Sequence, residues 1–355
     1  MKSLDSIRQL KKNYVRMKLT PLLLATPLFL SFSCNRTGLP NTQLGNWVQA
    51  AAIGNAPRSS AACFVIDNTA YVGLGYNESL TQPGRLKDFW AFTVETGWTQ
   101  VEDFPGDARS NAAAFSIGNI GYVGAGWNGF NIYQDFYSYD PAAHQWTRRA
   151  DFHDPRYDAV GFGLQGKGYI GTGYNAYSRN DFYAYDPAAD AWTLAPGTSG
   201  NFSKRRGAVA LVYKDKAYIV AGSSNGVMVR DMWSFDPSQT VPWHPLANIT
   251  NTDPGTWDDD YTDIQRELAT AFVNGDKAFL TTGSNGTMQT STWSYDFASD
   301  RWTRRTAYPR SPRTGAVSFT IEGMSFVGSG FSGSNTTFDD FDRFLPDVPF
   351  NSNDY

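Results

Sequence analysis

Cysteine is nearly absent from this sequence: its 355 residues contain two, and histidine occurs three times. Two cysteines are too few for a disulfide scaffold or for a zinc site built on cysteine. Charged residues make up only 18% of the chain. No apolar run reaches the ~18–20 residues that a membrane-spanning helix requires. The composition therefore argues against a disulfide-rich domain, a cysteine zinc protein and a helical membrane protein.

Aromatic residues and glycine are abundant instead, with 11 Trp, 19 Tyr, 24 Phe and 33 Gly. So many large apolar side chains argue against a disordered chain. Aromatics favour strands, and glycines favour tight turns. The length suffices for one large all-β domain or two ordinary domains.

The N-terminus has the pattern of an export signal. Basic residues precede a short apolar stretch from Leu19 to Phe32. Translation can also begin at Met17, since the residues from there form a compact signal by themselves. We predict that residues 1–33 are a signal peptide and that residues 34–44 form a flexible tether.

Cys34 ends this stretch, in the order Leu-Ser-Phe-Ser-Cys. The order resembles a bacterial lipoprotein box, which implies a lipid on Cys34 and a protein tethered to a membrane of the bacterial cell envelope, periplasmic or outer-membrane-anchored. The alternative is a plain signal peptide that is cut nearby.

Removal of the signal changes the charge of the mature chain. Residues 1–33 hold six Lys or Arg and one Asp, so the net charge falls from −4 to near −9. An acidic body lacks the basic surface that binding to a phosphate backbone requires. We therefore expect no nucleic acid partner.

Internal repetition is the dominant feature. The pattern Arg-x-x-Ala-x-x-Phe/Leu occurs six times, at intervals of 51, 47, 49, 61 and 47 residues. Each copy is followed by a segment with Gly-x-Gly or a weaker version, a segment opening with Asp and an aromatic, and a segment opening with Trp. Four short strands per repeat of about 50 residues are typical of an antiparallel propeller blade. The six arginines are Arg58, Arg109, Arg156, Arg205, Arg266 and Arg313.

The sixth repeat ends before its tryptophan strand, and the missing strand is present at the other end of the chain around Trp47. A blade completed in this way leaves no open sheet edge. We therefore predict an all-β, six-bladed β-propeller over residues 45–346, with four antiparallel strands per blade. The last blade is closed by the N-terminal strand, and residues 347–355 form a tail.

The repeats resemble kelch repeats in their period, their glycines and their tryptophans, over nearly the whole mature chain. They depart from the kelch pattern in having Gly-x-Gly where adjacent glycines are usual. The resemblance implies a propeller, on which function varies widely. Galactose oxidase contains such a propeller with copper, but His144, His153 and His244 fall in three different repeats, and we interpret Cys63 as a small core residue. We therefore expect no copper oxidase, no metal and no cofactor.

The repeated arginines open the innermost strands near the channel mouth. A ring of six guanidinium groups suits carboxylate binding. The alternative is an ion pair with the Asp that opens a third strand in five of the six blades.

Other candidate ligand residues lie in rim loops. Tyr76, Trp127 and Tyr174 each precede an asparagine, and an aromatic beside an amide suits a sugar ring. The alternative is ordinary turn chemistry. A longer loop in the fourth interval carries Trp257 and Asp258, either for a sugar or cation or as a solvated acidic loop.

Two functions follow as expectations, and a purely structural role is a third. The first is a monomeric binding module for a glycan or envelope protein at the propeller rim. The second is a sugar mutarotase or epimerase of the sialic acid mutarotase type, with Glu78, Asp258 and Glu267 as candidate proton-transfer groups.

Overall fold

The computed structural model describes residues 43–54, 56–79, 84–197, 202–251 and 260–354. The chain divides into two units, Met1–Asn41 and Thr42–Tyr355, and every described residue lies in the second. The described residues contain no helix, and hence none that is long and apolar enough to cross a membrane. They form strands in six four-stranded antiparallel sheets, so the predicted six-bladed propeller is confirmed.

Each of the first three blades uses four consecutive long strands. Blade 1 contains Ala62–Ile66, Thr69–Gly73, Phe89–Thr93 and Gly97–Val101. Blade 2 contains Ala113–Ile117, Ile120–Gly124, Phe136–Asp140 and Gln145–Arg149. Blade 3 contains Tyr157–Leu164, Lys167–Asn175, Phe182–Asp186 and Ala191–Leu194.

The other three blades follow the same plan. Blade 4 contains Val209–Tyr213, Lys216–Val220, Trp233–Phe235 and Trp243–Pro245. Blade 5 contains Thr270–Asn274, Lys277–Thr281, Thr292–Asp296 and Arg301–Arg305. Blade 6 contains Val317–Ile321, Met324–Gly328, Phe341–Pro349 and Leu44–Ala50. Two-residue strands in the rim loops are Tyr76–Asn77, Gly84–Arg85, Tyr177–Ser178, Ser223–Ser224 and Val227–Met228.

The last blade is closed by the N-terminal strand, as predicted. Trp47 lies opposite Phe344 in the antiparallel pair of Leu44–Ala50 with Phe341–Pro349. Its indole is fully buried, with ring centroids 4.5 Å from Phe344 and 5.0 Å from Tyr308. The N-terminal strand thus supplies the outermost strand of the sixth sheet and gives it four strands, as in the other blades.

The last glycine of each Gly-x-Gly segment joins its blade to the next. Its amide donates to the carbonyl oxygen of the next repeat arginine, at 2.7–2.9 Å, and the bond from Gly330 to Arg58 completes the circle. These glycines have φ between +88° and +103°. A Cβ at Gly126 would lie 2.9 Å from the carbonyl oxygen of Ser110. Only glycine meets both conditions, which explains why this position repeats.

Small side chains line the central channel. The alanine of each repeat motif directly precedes the first strand of its blade, or lies within it in blade 3. These alanines line a cavity of about 280 Å³ together with Cys63, Gly161 and Ser318. Cys63 is half-buried in this wall, and burial raises the pKa of its thiol to about 12. The aromatic side chains pack between neighbouring blades instead, where they form the apolar core.

Candidate functional site

The six repeat arginines are fully buried side chains. Five of them pair with the aspartate that opens the third strand of their own blade. In blade 2, Arg109 Nη2 lies 2.9 Å from Asp135 Oδ2, and Nη1 donates to the Ala125 carbonyl oxygen at 3.1 Å. The pairs are Arg58–Asp88, Arg109–Asp135, Arg156–Asp181, Arg205–Asp231 and Arg313–Asp340.

This burial corrects the expectation that Arg58, Arg109, Arg156, Arg205, Arg266 and Arg313 form a ring of ligand-binding groups. None of these side chains exposes surface to a ligand. Their guanidinium groups satisfy the Gly-x-Gly turns and the aspartates instead, so the ion-pair alternative describes the structure. We therefore place the candidate site on other residues.

Backbone hydrogen bonds form a closed ring at the channel mouth, built from the second residue after each repeat arginine. Each amide donates to the carbonyl oxygen of the equivalent residue in the preceding blade, at 2.8–3.2 Å. All six residues have φ between +52° and +62°. This mouth ring consists of Ser60, Asn111, Asp158, Gly207, Leu268 and Gly315. It fixes the position of every residue beside it, and it encloses a small cavity of about 120 Å³.

The residue directly after each repeat arginine pairs with the residue that follows Gly-x-Gly. In blades 1, 2 and 3 this register places Ser59 beside Tyr76, Ser110 beside Trp127, and Tyr157 beside Tyr174. In blades 4 and 5 it places Arg206 beside Ser223 and Glu267 beside Ser284. In blade 6 it places Thr314 beside Phe331. The repeat thus delivers a variable pair of side chains to the same rim in all six blades.

These side chains form a continuous row across blades 1 to 4, which we call the rim row. The Arg85 guanidinium lies over Tyr76 at 4.0 Å and over Trp127 at 4.9 Å. Trp127 stacks on Tyr157 at 5.5 Å, and Tyr157 contacts Tyr174 at 5.5 Å. The row ends with the Arg206 guanidinium, 5.3 Å from the ring of Tyr174. The structure therefore brings together three expected residues, which are Tyr76, Trp127 and Tyr174.

The rim row differs from the expected open platform for a sugar ring. Trp127 has Arg85 and Tyr157 against it, so its indole is engaged by two protein neighbours. Trp127 and Tyr157 stack at an interplanar angle of 23°, so each ring covers one face of the other. Their role is to hold two guanidinium groups in fixed positions through cation–π contacts.

Carboxylates lie at the Arg206 end of the row. Asp158, in the mouth ring, accepts a 2.5 Å hydrogen bond from Asn111 Nδ2. Burial raises the pKa of Asp158 to about 6, and the charge of Glu267 adds to the increase, while Arg206 opposes it. Glu267 accepts a hydrogen bond from Ser223 Oγ and lies 3.8 Å from Arg206 Nε. Two acids with unlike surroundings thus meet one arginine at the mouth.

The remaining predicted residues lie apart from this group. Glu78 belongs to the Tyr76 end, where its amide donates to Thr337 Oγ1 of blade 6 at 2.9 Å. Cys34, Trp257 and Asp258 lie outside the described residues. In the described ranges, no group of three or more His, Cys, Asp or Glu is arranged to hold a metal ion.

Several residues of the site were missed from sequence. Tyr157 and Arg206 directly follow repeat arginines, and a signal for them was available: this position varies while its neighbours repeat. Arg85 and Phe130 lie in loops without a repeated counterpart, so no spacing pattern marks them. Phe130 is 93% exposed at the tip of its loop, which is the largest exposure among the large apolar side chains described.

A family comparison agrees with this architecture. The KLHDC2/KLHL20/DRC7 Kelch-repeats domain family matches residues 149–330, slightly more than half of the chain. The chain belongs to the kelch-repeat family. The propeller and its repeats are thus kelch features, as the resemblance implied.

Curated relatives match a quarter of this kelch chain. An N-acetylneuraminate epimerase of Yersinia enterocolitica is 36% identical over 92 residues, which is 24% of this chain and 22% of the relative. A Kelch domain-containing protein of Vibrio cholerae is 37% identical over 90 residues, 24% of each chain. The chain therefore aligns with less than a quarter of each relative's own length. The solved structure of YjhT matches with a TM-score of 0.66 at 17% identity, over 81% of this chain and 94% of that chain, and it supports the fold alone.

Proposed function

We propose that this kelch protein is an exported, membrane-tethered binding module that holds a glycan at the rim around the channel mouth. The observation that carries the proposal is the rim row: two guanidinium groups, four aromatic side chains and two carboxylates converge beside one rigid backbone ring. Cys34 supplies the lipid tether in this proposal, and the protein acts as a monomer.

The chemistry of the rim suits sugar hydroxyls. Glycans are bound by hydrogen-bond donors and acceptors fixed beside apolar surface. Arg85 and Arg206 supply donors, Asp158 and Glu267 supply acceptors, and the exposed ring of Phe130 supplies apolar surface. Asp158 belongs to the mouth ring, and Arg206 and Glu267 directly precede ring residues, so these three groups need little ordering when a ligand binds.

A glycan array with the purified protein tests this function. We expect binding to a defined set of glycans, and we expect Tyr157→Ala to weaken it. The matched control is Tyr183→Ala, which removes a tyrosine of the same blade from the third strand instead of the rim. Failure to bind any glycan, or equal binding by both variants, would contradict the proposal.

A second candidate function is the interconversion of sugar anomers. The unlike acids Asp158 and Glu267 favour it, since mutarotation needs a proton donor for the ring oxygen and an acceptor for the anomeric hydroxyl proton. The ring carbon–oxygen bond then breaks, and the open chain closes again on the other face. The name of the Yersinia relative, an N-acetylneuraminate epimerase, points the same way. NMR of anomer exchange separates the candidates: acceleration that is lost in Asp158→Asn supports the enzyme, and binding without acceleration supports the module.

A further inference from the structure

We propose that Arg85 is an anion subsite of the rim, which binds the carboxylate of an acidic sugar through its two terminal nitrogens. The inference rests on the proposed glycan function and narrows it to acidic glycans. Its basis is an arginine that the protein orients from three sides and that has no negatively charged partner among the described residues.

The guanidinium of Arg85 is fixed by its neighbours. Two rings hold it, Tyr76 at 4.0 Å and Trp127 at 4.9 Å from its central carbon. Its Nε donates to Ser110 Oγ at 3.2 Å. The backbone is also paired, since Gly84–Arg85 forms a two-residue ladder with Tyr76–Asn77. An oriented guanidinium loses little conformational freedom when it binds a planar anion with two parallel hydrogen bonds.

Arg85 also carries an unbalanced charge. It has no ion pair with any acid in the described part of the chain, although burial lowers its pKa. The charge of Glu78 opposes that decrease without coming within ion-pair distance. A half-buried cation with neither a carboxylate nor full hydration is stabilised by an incoming anion.

Other rim arginines are paired with a carboxylate. Arg179 in blade 3 also lies over a tyrosine, Tyr177, at 4.1 Å. However, its Nη2 contacts Asp154 at 2.7 Å, and its Nη1 donates to the Tyr177 hydroxyl at 2.8 Å. Arg206 has Glu267 at 3.8 Å. Arg85 differs from both because no carboxylate in the described ranges pairs with it, so the ring contacts alone do not explain its placement.

The surroundings of Arg85 leave room for a ligand. Nη1 lies 3.8 Å from the position that a Cβ of Gly129 would occupy, so this residue places no side chain against that nitrogen. The adjacent Phe130 is 93% exposed. Its loop is shaped by Asn128 Oδ1, which accepts from the amides of Phe130 and Asn131 at 2.9 Å and 2.8 Å. A carboxylate at Arg85 with an apolar sugar face at Phe130 fits this arrangement.

The test titrates the purified protein with acetate, D-glucuronate and the neutral methyl ester of D-glucuronate, while arginine side-chain NMR signals are followed. We expect a saturable shift of the Arg85 Nε signal with acetate and glucuronate, and weaker binding of the ester. Arg85→Gln should weaken glucuronate binding about tenfold or more, since it removes a charge-assisted pair of hydrogen bonds. Arg85→Lys should bind glucuronate with an affinity between those of the wild-type protein and Arg85→Gln, because lysine keeps the charge and loses the two parallel hydrogen bonds of a guanidinium group.

Arg148→Gln is the matched control, since Arg148 is an exposed arginine on an outermost strand, paired with Asp151. Equal binding of glucuronate and ester, unchanged in Arg85→Gln, would overturn the subsite and leave the glycan function standing. Acetate binding at Arg85 without any preference for sugars would support the subsite and count against the glycan function. Absence of a saturable Arg85 shift in the wild-type protein, or an acidic peptide that binds more tightly than any acidic sugar, would overturn the inference.

Discussion

Trp293 donates a 2.6 Å hydrogen bond from its indole nitrogen to Oδ1 of Asp263, which lies in the loop that enters blade 5. In blade 1 the equivalent Trp90 donates at 2.7 Å to Asp88, the residue that opens its own strand. Blade 5 has Ser291 at that position. The loop before the blade therefore supplies the carboxylate that the repeat lacks.

Because Ser291 replaces the repeat aspartate in blade 5, we predict that an aspartate at position 291 restores stability that is lost when Asp263 is removed. Arg266 is fully buried and contacts Asp263 and Ser291, and burial lowers its pKa to about 10. Asp263→Ala should lower the free energy of unfolding by about 2–3 kcal/mol, because it leaves a buried charge unpaired. Adding Ser291→Asp should restore most of the loss. Urea denaturation measures both, and a double variant as unstable as Asp263→Ala would contradict the relation.

The last glycine of each Gly-x-Gly segment, which joins neighbouring blades, predicts that glycine substitutions differ in their effect on stability. Gly126→Ala should destabilise the propeller by about 2 kcal/mol or more, since φ is +98° and the new Cβ would press on a backbone carbonyl. Gly118→Ala is the control, because it has a positive φ with nothing within 4 Å. Thermal denaturation compares them, and similar melting temperatures would show that crowding at the blade junction is unimportant.

The mouth ring predicts a pH effect on stability. The pKa of Asp158 is raised to about 6 in the folded protein, above its value in the unfolded chain. Between pH 4 and 6 the folded state therefore holds more protons, and this residue makes stability fall as the pH rises through that window. Asp158→Asn should remove the effect. In denaturation experiments the wild-type protein should lose stability relative to this variant from pH 4 to 7. A constant difference between their free energies of unfolding would refute the raised pKa of Asp158.

Much of the propeller could be predicted because each repeat encodes the same four-stranded blade. Trp47 was assigned to the last blade from a missing strand at the other end of the chain, and the register with Phe344 agrees. The ion-pair alternative for Arg109 followed from Asp135 recurring at fixed spacing. Both inferences used repetition, which a single chain displays without any alignment.

The candidate site resisted prediction because it depends on contacts between blades. Arg85 meets Trp127 only when blades 1 and 2 lie side by side, and no local spacing encodes that contact. The same packing places Arg85 and Tyr157 against the indole that was expected to be an open platform. Positions that vary within the repeat, such as Tyr157 and Arg206, were the usable signal.

The predicted lipid tether is tested by fractionation of the producing cells. Cys34→Ser should move the protein from the membrane fraction to the soluble envelope fraction, since a lipid chain provides the attachment. Cys63→Ser is the matched control, because Cys63 lies in the channel wall of the propeller. Retention of the Cys34→Ser protein in the membrane fraction would exclude lipidation as the anchor.

The most direct test of the rim as the binding surface uses the tryptophan indole signals in NMR. With any glycan that the array selects, we predict a shift of the Trp127 signal with no shift of Trp47, which is buried in blade 6. Arg206→Gln should weaken the binding of that glycan, because it removes the guanidinium group at one end of the rim row. A bound glycan that leaves Trp127 unchanged, or that binds the Arg206→Gln variant as tightly as the wild type, would contradict the account.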